Sequence, residues 1–185
     1  MKAFLHSLRC DLSRALSGIG FFAAMLAVAV IQLQAVFEEL LTPGGDVIYY
    51  LDLTLSTGYM QILMPAAGTL CYSRVLQRDR ETGYMIYEKY RVTRGAYYSS
   101  KITACFVGAW VSVVAGMLLF IGILALKVPM VSKAALVNMD AYETGLFGRL
   151  LAGQKYLPYV LCMVCVRGLI AGAWSLVGMA ALTVW

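Results

Sequence analysis

Three long runs without a charged residue constrain this chain more than any other feature of its sequence. They cover residues 15–37, 53–73 and 102–126, and none contains Asp, Glu, Lys, Arg or His. An α-helix needs about 20 mostly apolar residues to cross a hydrocarbon layer about 30 Å thick. We therefore predict a membrane-spanning helix in each run, with a kink at Pro65 in the second.

The last part of the chain predicts a fourth span that contains one charge, Arg167. One interpretation is a single tilted helix over 158–185; the other is a short interfacial segment followed by a span over 168–185. We expect the single helix. A charge at bilayer depth is costly and often functional, so Arg167 is a candidate contact for an anionic head group or a translocation path. The alternative is an Arg that snorkels to a nearby interface.

Composition supports the same class, because 61% of the residues are hydrophobic and only 14% are charged. Soluble domains are about 45–50% apolar and about 25% charged. The predicted fold class is all-α integral membrane protein, a single domain over 1–185 with about four transmembrane helices. The first run is too long for the apolar core of a signal peptide.

The residues of catalysis and metal binding are scarce. The chain has one histidine, His6, and five scattered cysteines, which form no disulfide framework. Cys162 and Cys165 imitate a redox or metal spacing, but they lie in an apolar run and are interpreted as small apolar fillers. The sequence contains no Gly-Lys pair and hence no phosphate-binding loop. We expect no enzyme activity, no metal and no cofactor in this chain.

The charges predict the orientation, because basic loops stay in the cytoplasm. The leader 1–14 and the loop 74–101 hold ten of the fifteen basic residues, whereas the loop 38–52 has four acidic residues and no basic one. The N-terminus and the loop 74–101 are therefore placed inside, and the loops 38–52 and 127–157 outside. This topology, with contact to anionic lipid, explains the net charge of +5 without nucleic acid.

The leader is itself amphipathic. Phe4, Leu5, Leu8, Leu12 and Leu16 recur at helical spacing among basic residues. Such a helix can lie in the head-group plane as an interfacial element before the first span. It can equally be a positive flank that begins the first helix.

The loop 74–101 is the most patterned segment of the chain. Breaks at Glu81-Thr82-Gly83 and at Thr93-Arg94-Gly95 enclose residues 84–92, which mix aromatic and charged side chains. We predict a short amphipathic helix there; a strand would lack a pairing partner. The segment is either a docking surface for a cytosolic protein or an aromatic belt with basic anchors.

The pattern Asp79-x-Glu81-Thr82-Gly83-Tyr84, followed by Arg94 and by Tyr98-x-x-Lys101, resembles the cytoplasmic loop of ABC-2-type permease subunits. The order of leader, spans and loop over residues 1–126 is also similar to that family. Gly172-Ala173-Trp174 and Gly178 resemble the fourth helix of bacterial members with a long outer loop.

The resemblance implies a permease in a bacterial plasma membrane, with a cytosolic ABC ATPase as partner and a second permease subunit as homo- or heterodimer. The ATPase binds the ATP. The segment 84–92 would be the coupling helix, and the residues implied in the contact are Asp79, Glu81, Gly83, Tyr84, Tyr87 and Arg94. Family members usually have six spans, so we expect a fragment or a shortened gene product. The alternative function is a small membrane adaptor or assembly protein without transport.

Small residues recur at four-residue spacing in two spans and permit close helix packing. They are Gly108, Ser112 and Gly116 in the third span, and Gly168 and Gly172, extended by Ser175, in the fourth. These faces predict packing within the chain or across a permease dimer.

Overall fold

The computed structural model describes residues 2–41, 45–58, 60–83, 93–131 and 147–184. Within these ranges the regular structure is helical and contains no β-strand. A 3-10 turn over Glu39–Leu41 lies in the segment after the second helix. The α-helices of the described ranges are α1 Lys2–Ser17, α2 Ile19–Val36, α3 Val47–Ser56, α4 Met60–Glu81, α5 Arg94–Ala125, α6 Gly148–Ala152 and α7 Tyr156–Val184.

Three of these helices are long and apolar enough to cross a membrane. The qualifying stretches are Ile19–Val36, Gly95–Ala125 and Tyr156–Ala181. They overlap the first, third and fourth predicted spans. Helix α7 continues through Arg167 without interruption, as the single-helix interpretation requires. The chain is thus all-helical within the described ranges, with the helix lengths of a membrane-embedded protein.

The second predicted span, 53–73, is not one helix in the structure but is divided between two helices. Helix α3 ends at Ser56, Thr57 has extended backbone, and α4 begins at Met60 and continues past Pro65. The hydroxyl of Thr57 donates to the carbonyl oxygen of Leu53 at 2.8 Å. Such local side-chain bonds compete with the helical pattern, and Gly58 adds backbone freedom. Charge counting cannot detect a break made by two uncharged residues.

The long helices form an antiparallel bundle with two distinct ends. A Cβ added to Gly20 in α2 would lie 2.7 Å from the carbonyl oxygen of Leu70 in α4, and the Cys71 thiol donates to Ala15 at 3.6 Å. We call the end where α4 stops and α5 begins the loop end. At the opposite, far end, the backbone N–H of Val47 donates to the carbonyl oxygen of Pro129 at 3.2 Å.

The main hydrophobic core lies between α2, α3, α5 and α7. Fully buried side chains such as Val28, Met117, Phe120 and Val164 belong to it. Helices α2 and α5 approach closely, because a Cβ on Gly116 would lie 2.7 Å from the carbonyl oxygen of Met25. Glycine at this contact lets the two backbones pack directly.

Helix α1 turns its polar side towards the protein. Ser7, Asp11 and Ala15 are buried, while Leu5 is exposed and Leu8 is only partly covered. Phe4, Leu12 and Leu16 are also half-buried, so the leucine stripe lies along the edge of the contact between α1 and the bundle, and only Leu5 is exposed. Extended backbone at Gly18 separates α1 from α2.

Candidate functional site

A buried ionic cluster lies at the loop end of the bundle. Its centre is the ammonium group of Lys101 on α5, which is only 1% exposed. Lys101 Nζ donates to Asp11 Oδ1 of α1 at 2.5 Å and to Asp79 Oδ2 of α4 at 3.2 Å. One lysine therefore joins three helices.

The length of α5 explains why this cluster lies beyond the end of the bundle's apolar part. At 1.5 Å per residue, the 32 residues of α5 extend about 48 Å, well beyond a hydrocarbon layer of about 30 Å. Lys101 lies two turns from the start of the helix, in its polar section. Asp11 precedes the first apolar residues of α2, and Asp79 follows the apolar part of α4.

Hydroxyl groups complete the interior of the cluster. Ser100 Oγ donates to Asp11 Oδ2 at 3.0 Å, and Ser7 Oγ lies 3.2 Å from Ser100 Oγ. The ring of Tyr97 has its centroid 5.5 Å from Lys101 Nζ, within the range of a cation–π interaction. Both oxygens of the Asp11 carboxylate are thus hydrogen-bonded.

Arg14 closes the cluster on its solvent side. Its Nη1 donates to Asp79 Oδ1 at 3.2 Å, and its side chain is 43% exposed. The two carboxylates are balanced by one ammonium and one guanidinium group. Buried charges persist only when they are paired and hydrogen-bonded, so each member depends on the others. The cluster fixes the relative position of α1, α4 and α5.

The described residues among the predicted loop contacts are in this cluster or flank it along the chain. Asp79 is buried in it, Glu81 is exposed at the end of α4, and Gly83 has a left-handed backbone with φ of +66°. Arg94 begins α5. The predicted coupling helix 84–92, with Tyr84 and Tyr87, lies outside the described residues.

The structure gives each predicted packing glycine a neighbouring helix of the same chain. A Cβ on Gly108 would lie 3.3 Å from the sulfur of Cys71 on α4, and Gly116 packs on α2. On α7, a Cβ on Gly168 would lie 2.4 Å from Cδ1 of Trp110, and one on Gly172 would lie 3.0 Å from Phe106. These contacts are intramolecular, so they do not require a dimer.

Arg167 lies beside the break between α3 and α4. Its Nη2 donates to the carbonyl oxygen of Leu55 at 3.3 Å. That carbonyl is in the last turn of α3, where helical carbonyls have no partner within the helix. The positive charge of Arg167 also lies at the negative, C-terminal end of the α3 dipole, where a cation is stabilising.

Asp11, Ser100 and the role of Lys101 were not predicted from the sequence. A weak signal was present, because Ser7, Asp11 and Ala15 follow one another at four-residue spacing and include the only acid of a basic leader. The described residues bring no three His, Cys, Asp or Glu side chains together as a metal site. The cluster consists of paired charges and hydroxyl groups that connect three helices.

Comparison of the chain with protein-family models, with curated proteins and with solved structures found no match.

Proposed function

We propose that this chain is a membrane-spanning permease subunit of an ABC-type transporter, with its loop 74–101 docked on a separate cytosolic ATPase. The ATPase binds and hydrolyses ATP, and a second permease subunit completes the transporter. The proposal rests on the loop pattern from Asp79 to Lys101, which is similar to that of ABC-2-type permeases.

The pairing of Lys101 with Asp79 is the observation that carries the proposal furthest. These residues stand on either side of segment 84–92, and their ion pair holds the two flanks of that segment together. Because both of its flanks are fixed to each other, a displacement of this segment moves α4 and α5 together. A flexible linker would not move them. Joint movement of the two helices is what a coupling element requires.

The bond from Lys101 to Asp11 extends the same connection to α1. A partner that displaces the segment 84–92 then acts on α1, α4 and α5 together. The partner must bind one arrangement of the helices more tightly than another, since equal affinity for both would shift nothing.

The positions of the chain segments support the proposed orientation. Helix α1 and the flanks of the loop meet at one end of the bundle, and the acidic segment before α3 is at the other end. By the positive-inside rule, the loop end faces the cytoplasm of a bacterial cell and the far end faces outwards. The exposed Leu5, Arg9 and Arg14 of α1 then contact the inner head groups.

The direct test is purification of the tagged chain with its partner. A protein with the phosphate-loop pattern G-x-x-x-x-G-K-[ST] should copurify, and its ATP hydrolysis should rise when the chain is present in nanodiscs. The triple variant Glu81→Gln, Tyr84→Ala, Tyr87→Ala should lose both effects. A matched far-end variant, Glu38→Gln with Tyr49→Ala, should keep both.

The adaptor alternative makes a different prediction for the same experiment. An adaptor binds a cytosolic partner through the loop, but that partner has no phosphate loop and no ATP hydrolysis to stimulate. Binding that survives the triple substitution contradicts the docking role of the loop under either function.

A further inference from the structure

Helix α3 and the apolar part of α4 have the combined length of one membrane span. Their apolar stretches, Val47–Ser56 and Ile62–Cys71, contain ten residues each. At 1.5 Å per residue each extends about 15 Å, and together they extend about 30 Å, the thickness of the hydrocarbon layer. Neither stretch crosses alone.

The contacts of α3 show that it runs from the far end into the bundle. Its first residue, Val47, is hydrogen-bonded to Pro129 at the far end, and its last turn is bonded to Arg167 through Leu55. Six of its ten residues are buried. Helix α4 then continues towards the loop end, so the two helices follow one another along the bundle.

The packing glycines locate the break near the middle of the bundle. Arg167 precedes Gly168, whose added Cβ would lie 2.7 Å from Val114 of α5. Two residues further along α5, Gly116 packs against Val28, which lies in the centre of α2. Arg167 and the end of α3 are therefore close to mid-depth. Interrupted helices at this depth are tolerated only where protein groups satisfy the freed carbonyls, as Arg167 does.

Gln32 of α2 is a second unusual group at this level. It is 0% exposed, and neither atom of its side-chain amide has a hydrogen-bond partner among the described residues. Gly20 lies opposite Leu70 in the antiparallel α2–α4 pair, so Gln32, twelve residues further on, is level with residue 58 in the break. Buried amides without partners are rare in native structures and need a physical reason.

We propose that α3 and α4 are two halves of one discontinuous membrane span and that Arg167 locks the far half in place. When the bond from Arg167 to Leu55 breaks, α3 swings about Thr57 and Gly58 and opens the far end of the bundle. In the open arrangement the amide of Gln32 gains the polar partner that it lacks in the locked one. Arg167 favours the locked state and Gln32 the open one. Discontinuous helices near mid-depth recur in membrane transporters.

The test compares hydrogen exchange in the full chain in nanodiscs, without partner or nucleotide. Arg167→Met should raise the exchange rate of the α3 amides about tenfold, the size expected for loss of a charged hydrogen bond, while α5 stays unchanged. Arg167→Lys keeps a charge near Leu55 and should restore most of the protection. Gln32→Met should slow exchange in α3. Arg149→Met, a change of the same kind at an exposed arginine, should have no effect.

Three results would overturn the proposal. They are unchanged α3 exchange in Arg167→Met, faster exchange of α3 in Gln32→Met, and an equal rise in all helices in both Arg167 variants. If Arg167→Met does not fold, Arg167→Lys and Gln32→Met still decide between a lock and a passive contact. The outcome is independent of any ATPase, so its failure is separable from failure of the permease function.

Discussion

The ammonium group of Lys101 lies 3.2 Å from the carboxylate of Asp79, although 22 positions separate the two residues along the chain. The same ammonium group reaches Asp11, 90 positions away. These two bonds connect the leader helix to both flanks of the loop.

Removal of the lysine charge should strongly destabilise the loop end. Lys101→Met keeps the length of the side chain but leaves Asp11 buried without a cation. We expect a loss of about 3–5 kcal/mol in the free energy of unfolding, the usual result of breaking a buried ion pair. Chemical unfolding in mild detergent measures it. The exposed Lys127→Met is the control, and equal stability of the two variants would contradict the role of the cluster.

The interaction between Lys101 and Asp11 should make the effects of their substitutions on the free energy of unfolding non-additive. Asp11→Asn should cost much less in the Lys101→Met background than in the wild type, because the carboxylate no longer has its cation to lose. Asp79 still has Arg14 in the double variant. A double-mutant cycle from unfolding data should give a coupling energy of about 1–3 kcal/mol. Strict additivity would show that the two groups act independently.

Gly168 should not tolerate even a methyl group. In Gly168→Ala the new Cβ would lie 2.4 Å from Trp110 and 2.7 Å from Val114, so these side chains or the two helices must shift. We expect a loss of about 1–3 kcal/mol in the free energy of unfolding, as for other overpacked sites. Gly122→Ala is the matched control, because no atom lies within 4 Å of its Cβ. Because alanine has a higher helix propensity than glycine, Gly122→Ala should leave the free energy of unfolding unchanged or increase it by up to about 1 kcal/mol.

Gly83 should be required for its backbone conformation and not for space. Its φ is +66°, and no atom would contact an added Cβ. Gly83→Ala should therefore raise the free energy of the local backbone by about 1 kcal/mol and, under the proposed function, reduce stimulation of the ATPase. Gly83→Asn, which adopts left-handed backbone more readily, should retain most of the stimulation. Equal loss in the two variants would assign Gly83 a contact role instead.

The long helices were predictable because their signal is local. Uncharged runs and their charged boundaries identify α2 and α5, and α7 was predicted as one apolar helix that continues through Arg167. The break at Thr57–Gly58 was not predictable in this way, since both residues are uncharged and common within membrane helices.

Only part of the candidate site was predictable from the sequence. Asp79 and Lys101 belong to a recognisable loop pattern, but Lys101 meets its second partner, Asp11, only after three helices have packed. A lone acid in a basic leader has no distinctive spacing to a lysine 90 positions later. The aromatic segment 84–92 was predicted from its pattern, and its helical structure stays a prediction.

The two faces of α1 restrict how this helix can move. Its face with Asp11 and Ser7 is joined to α5, and the opposite face exposes His6, Arg9 and Ser13. A rotation of α1 about its own axis would separate the carboxylate of Asp11 from the ammonium group of Lys101. The rotational orientation of α1 is consequently set by the bonds of Asp11 to Lys101 and Ser100.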